Sequence, residues 1–156
     1  MGLEIGTLFV RRSAFINASP ARVWEEFLTL EKLQAWFGTG HELHQLQPVV
    51  GSPVDISIPN DYGAKVGDDG RIHFIGTVLV AETERELSFQ TRWHLNDLPG
   101  PSFWTLRLTA LYEGTQVEII QSGIELMGAE MSESLEGLEE GWDNHHLKLL
   151  RSIIES

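Results

Sequence analysis

The stretch "INASPARVWEEFLTLEKLQAWFG" (residues 16–38) decides the fold, because the hydrophobic period changes inside it. Ser19 is a good N-cap and Pro20 suits the first helical position. Val23, Trp24, Phe27 and Leu28 then form an apolar stripe at helical spacing. "EKLQAWFG" (31–38) continues as a second short helix, with Gly38 as its stop. Asn17-Ala18-Ser19 has the form of a glycosylation sequon, but its serine is better used as the cap. Just upstream, "GTLFVRRSAFI" (6–16) is rich in β-branched and aromatic residues and reads as a strand. Two short helices are therefore inserted after one strand.

Downstream, residues 41–122 are strand-like. "HELHQLQPV" (41–49) and "PVDISIP" (53–59) flank Gly51 as a hairpin, and "NDYGAKVGDDGR" (60–71) is a polar, Gly-rich loop. "IHFIGTVLVAE" (72–82) and "ELSFQTRWHL" (86–95) are joined by the charged turn "TERE". After "NDLPGP" come "SFWTLRLTAL" (102–111) and "TQVEIIQSGI" (115–124), joined around Glu113-Gly114. Six consecutive strands separated by short turns read as antiparallel meanders. The last segment, 129–155, has helical periodicity over its whole length. Taken at about 100° per residue, Met131, Leu135, Leu138, Trp142, Leu149 and Ile153 fall on one face.

A chain of 156 residues suits one domain, and 42% hydrophobic with 22% charged residues is a globular composition. There is no internal repeat, low-complexity tract or linker, so a single domain over 1–156 is expected. No apolar run approaches a membrane span, and the start lacks the pattern of a signal peptide, so a cytoplasmic location is expected. The chain has no cysteine, which excludes disulfides, thiolate catalysis and cysteine-based zinc sites. The acidic net charge of −12 repels phosphate backbones and anionic lipid heads, so nucleic acid is not an expected partner.

Four motifs in order resemble the START-like (SRPBCC, Bet v 1-like) superfamily, in the branch related to the activator of heat-shock protein 90 ATPase. They are "INASPARVWEEFLTLEKLQAWFG", "GTVLVAETERELSFQTRW", "EGTQVEIIQSGI" and "GWDNHHLKLL", and they cover about residues 10–155. The resemblance implies an α+β helix-grip fold, β-αα-β6-α, in which a curved antiparallel sheet of about seven strands wraps a long C-terminal helix. It also implies a cavity between helix and sheet.

Strand alternation groups the side chains that would face such a cavity. Phe74 shares a face with Ile72 and Val78; Phe89 with Trp93; Trp104 with Leu106; and Gln121 with Val117 and Ile119. With Trp36, Leu138, Trp142 and His146 these give the candidate lining: Trp36, Phe74, Phe89, Trp93, Trp104, Leu106, Gln121, Leu138, Trp142 and His146. The functional reading is an apolar pocket with Gln121 as a polar handle; the competing reading is that the aromatics simply fill the core. On the helical wheel His146 lies about 40° from Trp142 and His145 about 60° to the other side, so the two diverge and share no metal or proton. His146 is then either a ligand contact or a core histidine satisfied by a backbone partner. "HELH" (41–44) lacks metal-binding helical spacing, and its histidines fall on opposite faces of a strand. No metal, cofactor or catalytic residue is assigned.

The leading expectation is binding of a small hydrophobic or amphipathic molecule without turnover. The alternatives are a cyclase- or aromatase-like enzyme using the same cavity, with His146 and Gln121 or Arg92 converging, and a co-chaperone-type interaction module.

Overall fold

The computed structural model describes residues 9–38, 41–61, 63–95, 101–122 and 146–156. The order of elements is β1 (Phe9–Ile16), α1 (Pro20–Trp24), a 3-10 turn (Glu25–Phe27), α2 (Leu30–Trp36), β2 (Glu42–Gln45), β3 (Pro53–Pro59), β4 (Arg71–Glu82), β5 (Glu86–Trp93), β6 (Ser102–Leu111), β7 (Gly114–Ser122) and a helix α3 (Leu147–Glu155). All seven strands lie in one antiparallel sheet, ordered β1-β7-β6-β5-β4-β3-β2. The curved sheet with its C-terminal helix is an α+β helix-grip fold. Only the end of the helix expected over 129–155 lies among the described residues. Leu138, Trp142 and His145 lie outside them.

Local chemistry sets the helix boundaries. The Ser19 hydroxyl accepts from the Arg22 amide at 3.2 Å and opens α1 with Pro20 behind it. The Thr29 hydroxyl accepts from Lys32 N at 3.2 Å and opens α2. The helix expected over 19–28 tightens to 3-10 geometry at Glu25–Phe27, where the chain turns between these two caps. Strand β2 is shorter than the expected 41–49. A register shift between Leu43 and Gln45 breaks its ladder, and Pro48 has no amide to continue it.

One main core lies against the inner face of the sheet. Val23, Phe27, Leu33, Trp36 and Phe37 from the helical segment meet Leu87, Phe89, Leu106, Val117 and Ile119 from the strands. On α3, Leu147 and Leu150 are fully buried and Leu149 is half-buried, so the described part of the helix turns Leu147 and Leu150 inward. The expected wheel put Leu149 and Ile153 on the inner face, and both are half-buried against the core.

Gly76 is where β4 and β5 crowd each other. A Cβ at this position would lie 1.6 Å from the Gln90 carbonyl oxygen. Only glycine permits that approach. In the β6–β7 turn the left-handed residue is Tyr112 (φ 57°) rather than Gly114, and Gly114 instead makes room for the Phe15 ring and the Ile16 carbonyl. Gly76→Ala should lower stability by about 1–3 kcal/mol through overpacking, while Gly67→Ala, which meets nothing within 4 Å, should stay within about 0.5 kcal/mol of the parent. Urea unfolding of both variants measures this.

Candidate functional site

The inner wall of the sheet is built by alternation. β5 turns Leu87, Phe89, Thr91 and Trp93 inward; β6 turns Ser102, Trp104, Leu106 and Leu108; β7 turns Val117, Ile119 and Gln121. The register sets Phe89 opposite Trp104 and Trp104 opposite Gln121. The Phe89 and Trp104 rings stack at 5.7 Å and 12°. Phe37, at the end of α2, packs into this wall, with ring centroids 5.6 Å from Trp104 and 6.3 Å from Phe89.

Two imidazoles close the space around Phe37. Its ring lies 5.6 Å from His41 and 6.0 Å from His146, and the two histidine rings are 5.7 Å apart. Each imidazole answers a carbonyl at the C-terminal end of α2, where the helix has no internal donors left. His146 Nδ1 donates to the Trp36 carbonyl oxygen at 2.9 Å, and His41 bonds the Phe37 main chain. A carbonyl only accepts, so these bonds fix the proton of each ring. The Nε2 of His41 is sealed from solvent and has no hydrogen-bond partner. Burial and the neighbouring His146 push the His41 pKa down to about 4, against the Phe37 bond that raises it. His41 is therefore a neutral imidazole at physiological pH, with Nε2 presented as an acceptor.

The connection that carries His41 is held by one side chain. Gln34 Nε2 donates to the Gly38 carbonyl at 3.0 Å and to the His41 carbonyl at 3.2 Å, and its Oε1 accepts from Leu43 N at 2.7 Å. A Cβ at Gly38 would collide with this amide.

The candidate lining residues divide into separate groups. Phe89, Trp104, Leu106, Gln121 and His146 are together on the inner wall or against it. Trp36 is fully buried between Phe27 and Phe37, with its indole donating to the Glu26 carbonyl at 3.2 Å. Phe74 and Trp93 pair at 5.8 Å in a second small core with Ile72, under Ile58, Ala64 and Val66. Leu138 and Trp142 lie outside the described residues. Sequence reasoning missed His41. Strand alternation was applied to "HELH", but His41 precedes β2 and points from a turn fixed by Gln34.

The outer face carries a second polar constellation. His44 on β2, Asp55 on β3 and His73 on β4 bring their ligand atoms within 4.8 Å of one another. His73 Nδ1 is 2.6 Å from Asp55 Oδ1, and its Nε2 is 2.6 Å from Asp69 Oδ2. Burial lowers the His73 pKa, but the bonds to Asp55 and Asp69 outweigh it and the net shift is upward. The same His73 bond, helped by the Arg71 amide, lowers the Asp69 pKa.

The sequence profile of the family described as "Activator of Hsp90 ATPase homolog 1-like protein" matches residues 17–155. The chain belongs to this family. A comparison with curated proteins found no match. Among solved structures, a family-like fold is shared with a protein from Chromobacterium violaceum (21% identity, TM-score 0.71, covering 95% of this chain and 97% of that one). It is also shared with DynU16 of the dynemicin biosynthetic locus (19%, TM-score 0.67, 95% and 47%). The Aha1 dimer from Colwellia psychrerythraea has the same fold (16%, TM-score 0.62, 95% and 94%). Identities this low establish the fold that the Hsp90-activator-like family shares. Among the described residues, no helix is long and apolar enough to cross a membrane.

In this family member His41 links stability to pH with a definite sign. Its pKa is about 6.5 when unfolded and about 4 when folded, so between these values the unfolded chain binds more protons. Its contribution is complete above 6.5 and is lost as pH falls towards 4, up to about 3 kcal/mol. Urea unfolding at about pH 7 and about pH 4.5 should show a smaller difference in His41→Phe than in the parent, because the His41 contribution is then absent while every other titrating group is shared. Equal differences in the two proteins would mean that His41 is not held neutral.

Proposed function

We propose that the protein binds a small amphipathic molecule, an apolar body with one hydrogen-bond donor, between the inner face of the sheet and the C-terminal helix, without turning it over. The observation that carries this reading is the His41 Nε2 acceptor, sealed and unpartnered beside the aromatic rings of Phe37 and His146. A buried acceptor left without a donor costs about 1–3 kcal/mol, and a hydroxyl or N–H of a ligand recovers it. The surrounding aromatic rings supply the apolar complement. We assign the cysteine-free protein to the cytoplasm.

The His41 pKa bears on turnover. An imidazole titrating at about 4 is a weak base at neutral pH, far from the value that suits general-base catalysis. This favours a hydrogen-bond acceptor over a proton abstractor. The pairing of two imidazoles 5.7 Å apart nevertheless supports a second reading, a cyclase-like reaction on the bound molecule, and the likeness in fold to DynU16 is in keeping with it. A co-chaperone-type interaction is the third, prompted by the fold likeness to the Aha1 dimer.

Naphthol and decanol, each set against its hydroxyl-free counterpart, test the leading reading. Tryptophan fluorescence and native mass spectrometry give the affinities. The hydroxylated member of each pair should bind about 3–10-fold more tightly, the worth of one neutral hydrogen bond, and His41→Phe should erase that preference. No binding of any of the four, or a preference that survives His41→Phe, would sink the proposal. Stimulation of a purified Hsp90 ATPase without small-molecule binding would favour the third reading.

A further inference from the structure

The outer face holds a group of side chains that the inner site does not use. We infer that His44, Asp55 and His73 form a binding site for one divalent transition-metal ion, with Asp69 orienting His73 from behind. Two histidines and one carboxylate on one face, with coordination positions left open, are a donor set used for zinc and for non-haem iron. Here the three come from adjacent strands of one sheet, which is a rigid frame, and their ligand atoms already converge within 4.8 Å.

The His73 contacts point to a cation independently of the residue types. Both ring nitrogens face carboxylate oxygens at 2.6 Å. Carboxylates only accept, and a neutral imidazole has a single N–H. Both contacts are satisfied together when His73 carries a second proton or when a metal ion replaces one proton. A metal ion bound by Nδ1 and Asp55 takes the place of the Nδ1 proton, with the 2.6 Å contact opening to about 3 Å or more to admit metal–ligand bonds of about 2.0–2.2 Å, and leaves Nε2–H to donate to Asp69. This is the carboxylate–histidine–metal arrangement by which outer partners fix ring orientation and strengthen the ligand. His44 completes the set. Its ring stacks on His73 at 5.1 Å, its Nε2 lies 2.9 Å from the Ser57 hydroxyl, and its Nδ1 is 3.5 Å from the Glu42 carboxylate.

Access and charge agree with an ion. The three side chains are partly exposed, at 30% for His44, 23% for Asp55 and 19% for His73. Asp55 and His73 line a cleft of about 390 Å³ together with Asp68, Asp69, Lys65 and Arg71. In the cleft Asp55, Asp68 and Asp69 face Lys65 and Arg71, and Glu42 adds a fourth carboxylate beside His44. A divalent ion neutralises the remainder. The sequence hid the site because its ligands are spaced 11 and 18 residues apart on three strands, and only the pairing register brings them together.

The test uses the full chain, tag-free and stripped with a chelator, titrated calorimetrically with zinc chloride at about pH 7.5, where histidine nitrogens are available to metal. One zinc ion per chain should bind, and zinc should raise the midpoint of thermal unfolding, since an ion that binds only the native state stabilises it. His44→Gln and Asp55→Asn should each abolish binding, and Asp69→Asn should weaken it about 10–100-fold while leaving the stoichiometry unchanged. Glu113→Gln, in the exposed β6–β7 turn, should bind as the parent does. His44 lies on an edge strand, so His44→Gln keeps the test decisive even where an Asp55 variant folds poorly. Absence of zinc binding, or binding unchanged by His44→Gln, would overturn the inference and leave His73 as a proton-held bridge between two aspartates.

Discussion

The pairing of the first strand with the last is the constraint on which the rest of the molecule depends. β1 runs antiparallel to β7 in unbroken register from Phe9 opposite Ser122 to Ile16 opposite Thr115. Partners so far apart in sequence close a long loop before any of their contacts form, which makes this pairing entropically expensive. Its consequences are local and specific. The Thr115 hydroxyl donates to the Ala18 carbonyl at 2.7 Å, which fixes the turn from which α1 starts. The Glu155 carboxylate accepts from the Asn17 amide at 2.8 Å, and the Arg151 guanidinium donates to the Phe15 carbonyl at 2.7 Å, which docks α3 beside the same strand. Arg11 and Glu118 add an ion pair across the ladder. Both helical ends of the fold thus hang from one strand pair.

The inner site follows from how α2 ends. Seven residues make a short helix, and its last carbonyls lie in the core with no partner of their own. His41 and His146 meet that need from opposite sides, one from the turn after the helix and one from the start of the C-terminal segment. The structural bond and the functional group are therefore the same side chain. Because the donor of His41 is committed to a carbonyl and its ring is held neutral, the far side of that ring is an acceptor by chemistry and not by chance.

Much of the fold could be read from the sequence, and the reasons are physical. Alternation sorted Leu106, Val117 and Ile119 to the inner face because a strand has period two whatever its neighbours. Ser19, Pro20 and Gly38 marked helix ends because caps are local interactions. The site was less legible. Phe74 and Trp93 alternate with the same phase as Phe89, yet they lie further along their strands and pack in a separate small core, and alternation says nothing about distance along a strand. His41 escaped notice because its position depends on Gln34 folding back across the turn. His44, Asp55 and His73 are local to nothing; their meeting depends on a bulge in β2 and on the β3–β4 register.

The two edges of the sheet are handled differently, and this explains why polar chemistry collects on one side. β1 is an edge strand, but α3 packs on it, and Arg151 takes the main-chain carbonyl of Phe15. β2 is the other edge, and among the described residues its protection comes from brevity, a bulge and charge. Glu42, His44, Asp55 and Arg71 surround it, and Arg71 reaches the Ser57 hydroxyl at 2.7 Å beside His44. Side-chain bonds there do for the edge what ladder hydrogen bonds do for an inner strand. They hold β2 in place without presenting a flat apolar strip to another chain. An edge stabilised by side chains is also one where imidazoles and carboxylates crowd together, and so the means of protecting the edge also brings His44, Asp55 and His73 within reach of one another.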